Sequence, residues 1–195
     1  MRAGAIARVA LAVVLCTSMQ VPALADDGGW HVEETSIRFA GGVNPSSLIQ
    51  YYAIHGDLGF RLWERADRWF ADRDMTARWI IEPWAAFVND QHGIHKTASF
   101  EIGVSPLFAK LTFGDARLRP FLEGGEGLLY TDLRKQRYGT RVQFSSQIGA
   151  GVEYEIRPGL AFSFAARLRH MSNAGLASSN PGVNTLFGLI GLTFR

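Results

Sequence analysis

The chain has 195 residues, a formal net charge of +2 and a hydrophobic fraction of 47%. This length suits a single domain, and the nearly balanced charge gives no indication of a nucleic-acid partner. Arginine outnumbers lysine by 17 to 3, which would suit binding to the phosphate groups of a lipopolysaccharide surface, although a GC-rich genome explains the same bias equally well.

Residues 1–25 have the layout of a secretory signal peptide. Basic residues surround the start of the short apolar run Val9 to Cys16, and Ala23-Leu24-Ala25 has the A-x-A form of a cleavage site. The apolar run is too short to cross a bilayer as a helix. We therefore expect residues 1–25 to be cleaved as a signal peptide and residues 26–195 to form the mature domain.

Cys16 is the only cysteine of the chain and falls within this leader. The mature domain therefore has neither disulfides nor thiolate ligands, and its natural location is the bacterial envelope. A role for Cys16 as a lipoprotein acceptor is the weaker alternative, because the bulky Leu15 stands where a small residue is expected.

After the leader, the chain is dominated by alternation of apolar and polar residues. No window contains the roughly 18 consecutive apolar residues of a transmembrane helix, so residence in a membrane requires a closed barrel. Eight strand-like segments follow one another: 34–43, 48–63, 76–89, 96–113, 118–132, 141–157, 159–173 and 184–195. They predict an all-β fold, an eight-stranded antiparallel transmembrane β-barrel in the bacterial outer membrane, whose interior is filled by side chains and leaves no channel.

Several connections are also predictable. The charged segment 64–75, which carries two aromatic residues, predicts a loop or a short helix between the second and third strands. Arg157-Pro158-Gly159 predicts a tight turn from the sixth strand, which has the cleanest alternation, into the seventh. The last strand places Phe194 next to the C-terminus, similar to the aromatic final strand that is common in outer-membrane barrels.

The seventh segment reads L-A-F-S-F-A-A-R-L-R-H-M-S-N from Leu160 to Asn173. Successive side chains of a strand point to opposite faces, so two arginines share one face, while His170 and Ser172 share the other with leucine and phenylalanine. A soluble protein would neither bury the arginines nor leave the apolar face in water. In a transmembrane barrel the arginines face the lumen and the apolar face meets lipid. We therefore expect His170 and Ser172 on the outer surface, where acyl chains meet head groups.

His170 and Ser172 have the residue types of a base and a nucleophile. A hydroxyl needs an adjacent base, and residues i and i+2 of a strand have Cβ atoms about 6.5–7 Å apart. The segment 173–184 is dense in amides and glycine, which suits hydrogen-bond donation to an oxyanion. Polar groups on a lipid-facing surface are costly and tend to mark function. The alternative is that both residues lie beyond the membrane edge, where polar side chains cost little.

The run His170-Met171-Ser172-Asn173-Ala174-Gly175-Leu176, followed by Asn180-Pro181-Gly182, closely resembles the signature of the PagL-type lipid A 3-O-deacylases. These are outer-membrane enzymes that remove an ester-linked acyl chain from lipopolysaccharide. The segment 119–125 looks like the fifth strand of the family. The signal peptide, the number of strands and the motif in the penultimate strand agree with the resemblance.

The resemblance implies a carboxylic ester hydrolase that removes the 3-position acyl chain of lipid A, with Ser172 as the nucleophile and His170 as the general base. An acidic residue orients the histidine in the family, fourteen positions after it, where this chain has Asn184. Oxyanion and substrate contacts are expected from Asn173, Ala174, Gly175 and Asn180. No metal or cofactor is implied. The expected partners are lipid A or lipopolysaccharide and the outer membrane, and a homodimer remains an alternative to the monomer.

Asn184 departs from the family pattern. Its side-chain carbonyl can accept the imidazole N–H and hold the tautomer, but it cannot supply charge to the imidazolium. Either activity is reduced or another carboxylate substitutes, and Glu126 is the candidate, because alternation within 118–132 puts it on the lipid face. Strand five is not adjacent to strand seven, however, so we expect instead that a bulge turns Glu126 inward.

The remaining histidines and tryptophans receive structural interpretations. His92 and His95 are spaced like metal ligands, but only Asp90 accompanies them, so we interpret them as solvated loop residues rather than a zinc site. For His31 and His55 the sequence identifies no partner. The tryptophans are expected in the interfacial belt or in packing rather than at a cofactor: Trp63, Trp69, Trp79 and Trp84.

Two other functions remain open. A non-enzymatic small barrel that stabilises the membrane or binds envelope partners is compatible with the asparagine at position 184. A phospholipase-like barrel esterase that acts on glycerophospholipids would share the His/Ser mechanism, but the family known for it depends on calcium and on a longer chain.

Overall fold

The computed structural model describes residues 31–46, 48–90, 97–133 and 138–195. The predicted signal peptide lies outside these residues, as do His92 and His95. The described residues form a closed antiparallel barrel, in which each strand pairs with the next and the last pairs with the first. Its strands are β1 Val32–Asn44, β2 Ile49–Arg61, β3 Met75–Asp90, β4 Thr97–Phe113, β5 Leu118–Thr131, β6 Val142–Arg157, β7 Leu160–Ser172 and β8 Val183–Phe194.

The strand boundaries lie within two residues of those predicted, because the alternation of apolar and polar residues persists to the ends of each strand. The segment predicted as a loop or short helix contains a helix, α1, over Glu64–Ala71. The second strand ends at Arg61, earlier than predicted, because the chain turns into this helix. No helix among the described residues is long and apolar enough to cross a membrane.

The outward face of the barrel is apolar. Along β6 the exposed side chains include Val142, Phe144, Ile148 and Val152, whereas Gln143, Ser145, Gln147 and Glu153 are buried. Strand β7 obeys the same rule, since Arg167 and Arg169 are about 1–2% exposed and Leu168 is 50% exposed. The predicted faces of both strands are therefore confirmed, and the outward face is the surface that meets lipid.

The lumen is filled by a network of paired charges. Arg38 lies 2.7 Å from Glu123, 2.8 Å from Glu82 and 3.0 Å from Asp57. Arg167 reaches the same two glutamates, at 2.7 and 2.8 Å. Buried charges are tolerated where they are paired and hydrogen-bonded, so each arginine allows the carboxylates beside it to be buried. The predicted side-chain-filled interior is confirmed.

His55, for which the sequence identified no partner, belongs to this interior. Its Nδ1 lies 3.4 Å from Oε1 of Glu82, and its ring stacks on Trp84 with centroids 5.9 Å apart. Trp84 is itself buried, so it is a packing residue of the lumen, whereas Trp63 is largely exposed. The lumen residues come from strands distant in sequence, so their pairing was not predictable from local pattern.

Candidate functional site

His170 on β7 lies directly opposite Asn184 on β8 in the strand register. Its Nδ1 atom is 2.7 Å from Oδ1 of Asn184, in the range of a hydrogen bond. Because an amide oxygen only accepts, Nδ1 carries the proton in this bond and donates it. In the neutral ring, Nε2 is then the nitrogen without a proton, and it can act as a base. The structure therefore brings together two of the three predicted triad residues.

Ser172 shares the outward face of β7 with His170, as predicted. The His170 side chain is exposed, and Ser172 is partly buried at the end of the strand, where the loop to β8 begins. Among the described residues, no hydrogen bond joins the Ser172 hydroxyl to the His170 ring. Such bonds often form only when substrate is bound. The strand spacing of about 6.5–7 Å between Cβ atoms leaves the two side chains within mutual reach.

Gly182 lies next to the imidazole ring of His170. Its backbone has φ +67°, and a Cβ atom there would lie 2.8 Å from Cε1 of His170 and 3.5 Å from Nε2. Glycine adopts this left-handed backbone conformation without strain, and it has no side chain that would collide with the imidazole ring. Gly182 therefore leaves the space that the His170 ring occupies, a role that was not assigned from the sequence although the Asn-Pro-Gly turn was noted.

The loop between β7 and β8 is organised by the buried side chain of Asn173. Its Nδ2 donates to the carbonyl oxygens of Tyr138, at 3.0 Å, and Ser179, at 2.8 Å. Its Oδ1 accepts the N–H of Gly175 at 2.9 Å. These bonds tie the loop to the neighbouring connection between β5 and β6. We expected the Asn173 side chain among the oxyanion and substrate contacts, but its amide already makes hydrogen bonds within and beside the loop.

The turn directly after Ser172 has an unusual backbone. Ala174 and Gly175 both have positive φ, at 51° and 82°, and the N–H of Leu176 donates to the carbonyl of Asn173 at 3.0 Å. A non-glycine residue in the left-handed region costs about 1–3 kcal/mol and is enriched at functional sites. The fold maintains this turn next to the candidate nucleophile.

Asn180 joins the same turn and presents an amide donor. Its Oδ1 accepts the N–H of Asn173 at 3.0 Å, so the donor end of the amide, Nδ2, points away from that bond. The N–H of Gly175 already has Oδ1 of Asn173 as acceptor. Of these two predicted oxyanion donors, the Gly175 N–H is therefore already engaged within the loop, whereas the bond made by Asn180 uses its oxygen and not its Nδ2.

Glu126 lies on the outer surface, and the expectation that a bulge turns it inward is wrong. Its side chain is exposed, and its Oε2 accepts a hydrogen bond from the Ser146 hydroxyl at 2.8 Å. Ser146 on β6 is the direct register partner of both Glu126 on β5 and His170 on β7. The sequence did contain a signal for Ser146, which is a polar residue on the otherwise apolar face of β6.

A bulge does occur at this level, but in the adjacent strand. The register between β4 and β5 shifts between Val104 and Leu107, which pair with Leu128 and Glu126. The extra residue is therefore in β4, where Ser105 and Phe108 both point inward. Strand β5 keeps its alternation from Leu122 to Tyr130, and this leaves Glu126 on the lipid-facing side.

Comparison with known proteins gives a family match and similar folds. A sequence model of the family described as lipid A 3-O-deacylase (PagL) matches residues 52–193. No curated protein sequence matches the chain. A crystal structure of the outer membrane enzyme PagL superposes with a TM-score of 0.61 at 19% identity, covering 80% of this chain and 97% of that one. Neisserial surface protein A superposes with a TM-score of 0.52 at 13% identity, covering 83% of this chain and 94% of that one.

Because the sequence identities of these two structures to this chain are low, they show the fold alone, which is an eight-stranded outer-membrane barrel. The family match is stronger evidence of function than the similar folds, because it extends over most of the barrel and includes β7, the following loop and β8. It places this barrel in the bacterial outer membrane among carboxylic ester hydrolases. The chain belongs to the lipid A 3-O-deacylase (PagL) family.

Proposed function

We propose that this barrel hydrolyses the ester bond that links the 3-position acyl chain to lipid A, with Ser172 as nucleophile and His170 as general base. The observation that carries the proposal is the 2.7 Å bond between His170 Nδ1 and Asn184 Oδ1, which leaves Nε2 as a base on the face that Ser172 shares. Cleavage of the leader after Ala25 would deliver residues 26–195 to the envelope as the mature barrel.

In the first half of the reaction, the Ser172 hydroxyl oxygen attacks the ester carbonyl carbon, and its proton passes to His170 Nε2. The carbonyl oxygen becomes an oxyanion, which we assign to the Asn180 side-chain N–H and the backbone N–H of Ala174. The bond between the carbonyl carbon and the sugar 3-oxygen then breaks. His170 returns its proton to that oxygen, so the products are a free 3-hydroxyl and an acyl ester on Ser172.

In the second half, water attacks the acyl ester on Ser172 while His170 Nε2 accepts one of its protons. The bond between the carbonyl carbon and Ser172 breaks, the serine oxygen takes the proton from His170, and the fatty acid leaves. Asn184 accepts the Nδ1–H of the imidazole throughout, so the base nitrogen stays directed at the reacting atoms. No step of this sequence uses a metal or a cofactor.

The surroundings of the site suit a substrate that arrives from the membrane. The residues beside His170 and Ser172 on the outer face are apolar and exposed, among them Phe144, Leu168 and Leu186. An acyl chain can lie against these side chains without leaving the hydrocarbon region, while the sugar remains at the head-group level. Lateral entry explains why an active site can work on the outside of a barrel whose lumen is filled.

The test is mass spectrometry of lipid A from cells that express the wild-type protein, Ser172→Ala or Ser163→Ala. Ser163 is a matched control, because it is a buried serine of the same strand that faces the lumen. We expect loss of one hydroxyacyl chain with the wild type and Ser163→Ala, but not with Ser172→Ala. Release of phospholipid fatty acids with unchanged lipid A would favour a phospholipase-like esterase, and no change in either lipid class would favour a non-enzymatic barrel.

A further inference from the structure

Four polar side chains form a continuous row across the outer face of the barrel. Glu126, Ser146, His170 and Asn184 are successive register partners on β5, β6, β7 and β8. Hydrogen bonds connect the two outer pairs, at 2.8 Å between Ser146 and Glu126 and 2.7 Å between His170 and Asn184. His170 therefore stands between an amide on one side and a serine bonded to a carboxylate on the other. We call these residues the outer polar row.

Glu126 is placed within a surface that otherwise meets lipid. Its register partner on β4 is Leu107, 69% exposed, and the same outer face of β5 and β6 also carries the exposed Leu122, Leu128 and Ile148. A carboxylate costs free energy on such a face, and ionisable residues at membrane depth usually serve a function. The hydrogen bond from Ser146 directs the carboxylate toward β6, which lies between β5 and the strand that carries His170.

The backbone around Glu126 is also specialised. A Cβ atom on the preceding residue, Gly125, would lie 2.0 Å from the carbonyl oxygen of Leu107 and 2.5 Å from Cα of Phe108. The glycine lets β5 approach the bulge of β4 closely, at the position where a larger residue would push the strands apart. Bulges beside active sites commonly direct a side chain, and this one lies directly opposite Glu126.

We propose that Glu126 is a positioning residue of the hydrolase, acting through Ser146 to supply beside His170 the negative charge that Asn184 lacks. This inference rests on the proposed function of the site. The Ser146 hydroxyl donates a hydrogen bond to Glu126, so the oxygen end of its dipole is left for the His170 side of the row. When His170 takes the Ser172 proton, both the dipole and the carboxylate stabilise the resulting cation.

The distances make this effect substantial. Adjacent strands are about 4.8 Å apart, so the backbones of β5 and β7 are separated by roughly 10 Å, and the Glu126 side chain reaches toward β6 within that gap. Opposite charges at such a separation, in surroundings less polar than water, change a rate by about tenfold to thirtyfold. An asparagine that only orients the imidazole is therefore complemented by a carboxylate on the other side of the ring.

The experiment compares Glu126→Gln, Asn184→Glu and the double variant, each as the full mature barrel in vesicles of phospholipid and lipopolysaccharide. Glutamine keeps an acceptor for Ser146 but removes the charge. Asp115→Asn is the control, because this exposed carboxylate lies in the turn between β4 and β5 at the opposite end of the barrel. Two readouts are taken, which are acyl release from lipopolysaccharide and the rate at which a fluorophosphonate labels Ser172. Gel mobility of the unheated barrel verifies folding.

We expect Glu126→Gln to lower kcat and the labelling rate about tenfold with KM unchanged, and Asp115→Asn to change neither. In the Asn184→Glu background, the same glutamine should cost less than about twofold, because the new carboxylate takes over the charge. Equal losses in both backgrounds, a change confined to KM, or labelling at the wild-type rate would each overturn the proposal. Labelling that depends on Glu126 without acyl release from lipopolysaccharide would support the positioning role and refute the proposed substrate instead.

Discussion

The imidazole of His170 and the side-chain amide of Asn184 face each other across β7 and β8, with Nδ1 and Oδ1 2.7 Å apart. The two residues are fourteen positions apart in sequence, and the segment between them contains Ser172 at the end of β7 and the loop that follows it. Removing this amide should reveal how much orientation alone contributes. We expect Asn184→Ala to lower kcat about tenfold to a hundredfold, which is less than the roughly 10⁴-fold loss when the charged orienting residue of a serine protease is neutralised.

Acyl release from lipopolysaccharide under saturating conditions measures this effect. Asn184→Asp serves as the companion variant, since it restores an acceptor and adds charge. If Asn184→Ala keeps wild-type kcat, the amide does not orient the base.

A side chain at position 182 should displace the His170 ring, because a Cβ there would lie 2.8 Å from its Cε1 atom. We expect Gly182→Ala to lower kcat strongly while the barrel still folds. Gly114→Ala is a closely matched control, as its φ of +76° imposes similar strain but no atom lies within 4 Å of the added Cβ. Both variants carry the strain of about 1–2 kcal/mol for a left-handed alanine. Equal activity of the two variants would show that contact with the ring is unimportant.

Asn173 should hold the loop that follows Ser172. The change Asn173→Ala leaves the carbonyls of Tyr138 and Ser179 without this donor and removes the acceptor of the Gly175 N–H. Loss of buried hydrogen-bond partners costs about 1–3 kcal/mol, here in the local stability of the loop. We expect faster limited proteolysis within residues 173–182 and reduced activity, whereas the barrel strands remain resistant. An unchanged cleavage rate in the loop would contradict the assignment.

Arg167 should be essential to the stability of the lumen. It bonds Glu82 and Glu123 at 2.8 and 2.7 Å, so Arg167→Met leaves two buried carboxylates with one fewer cation. Breaking a buried pair in this way costs about 3–5 kcal/mol. The exposed Arg157, the last residue of β6, is the control, and its replacement by methionine should change the free energy of unfolding by no more than about 0.5 kcal/mol. Urea unfolding of the barrel in vesicles compares the two.

The strands and their faces were predictable because the information is local. In β7, two-residue periodicity separates Arg167 and Arg169 from Leu168 and His170, and the barrel interpretation followed from which set is apolar. The turn at Gly159 and the interruption over 64–75, predicted as a loop or a short helix, were likewise visible in short stretches of residues. The error over Glu126 has a different origin, since nothing in β5 itself reveals that the extra residue of a bulge lies in β4.

By itself, the sequence determined the eight strands, the outward face that carries His170 and Ser172, and the family signature around them. Only the tertiary structure decided which residues meet across the strands: Ser146 beside His170, Glu126 beside Ser146, and Gly182 against the imidazole ring. Alternation within a strand shows which face of the sheet a side chain occupies, but not which residue of the neighbouring strand lies beside it. That pairing depends on the register, which the bulge, the turns and the closure of the barrel determine.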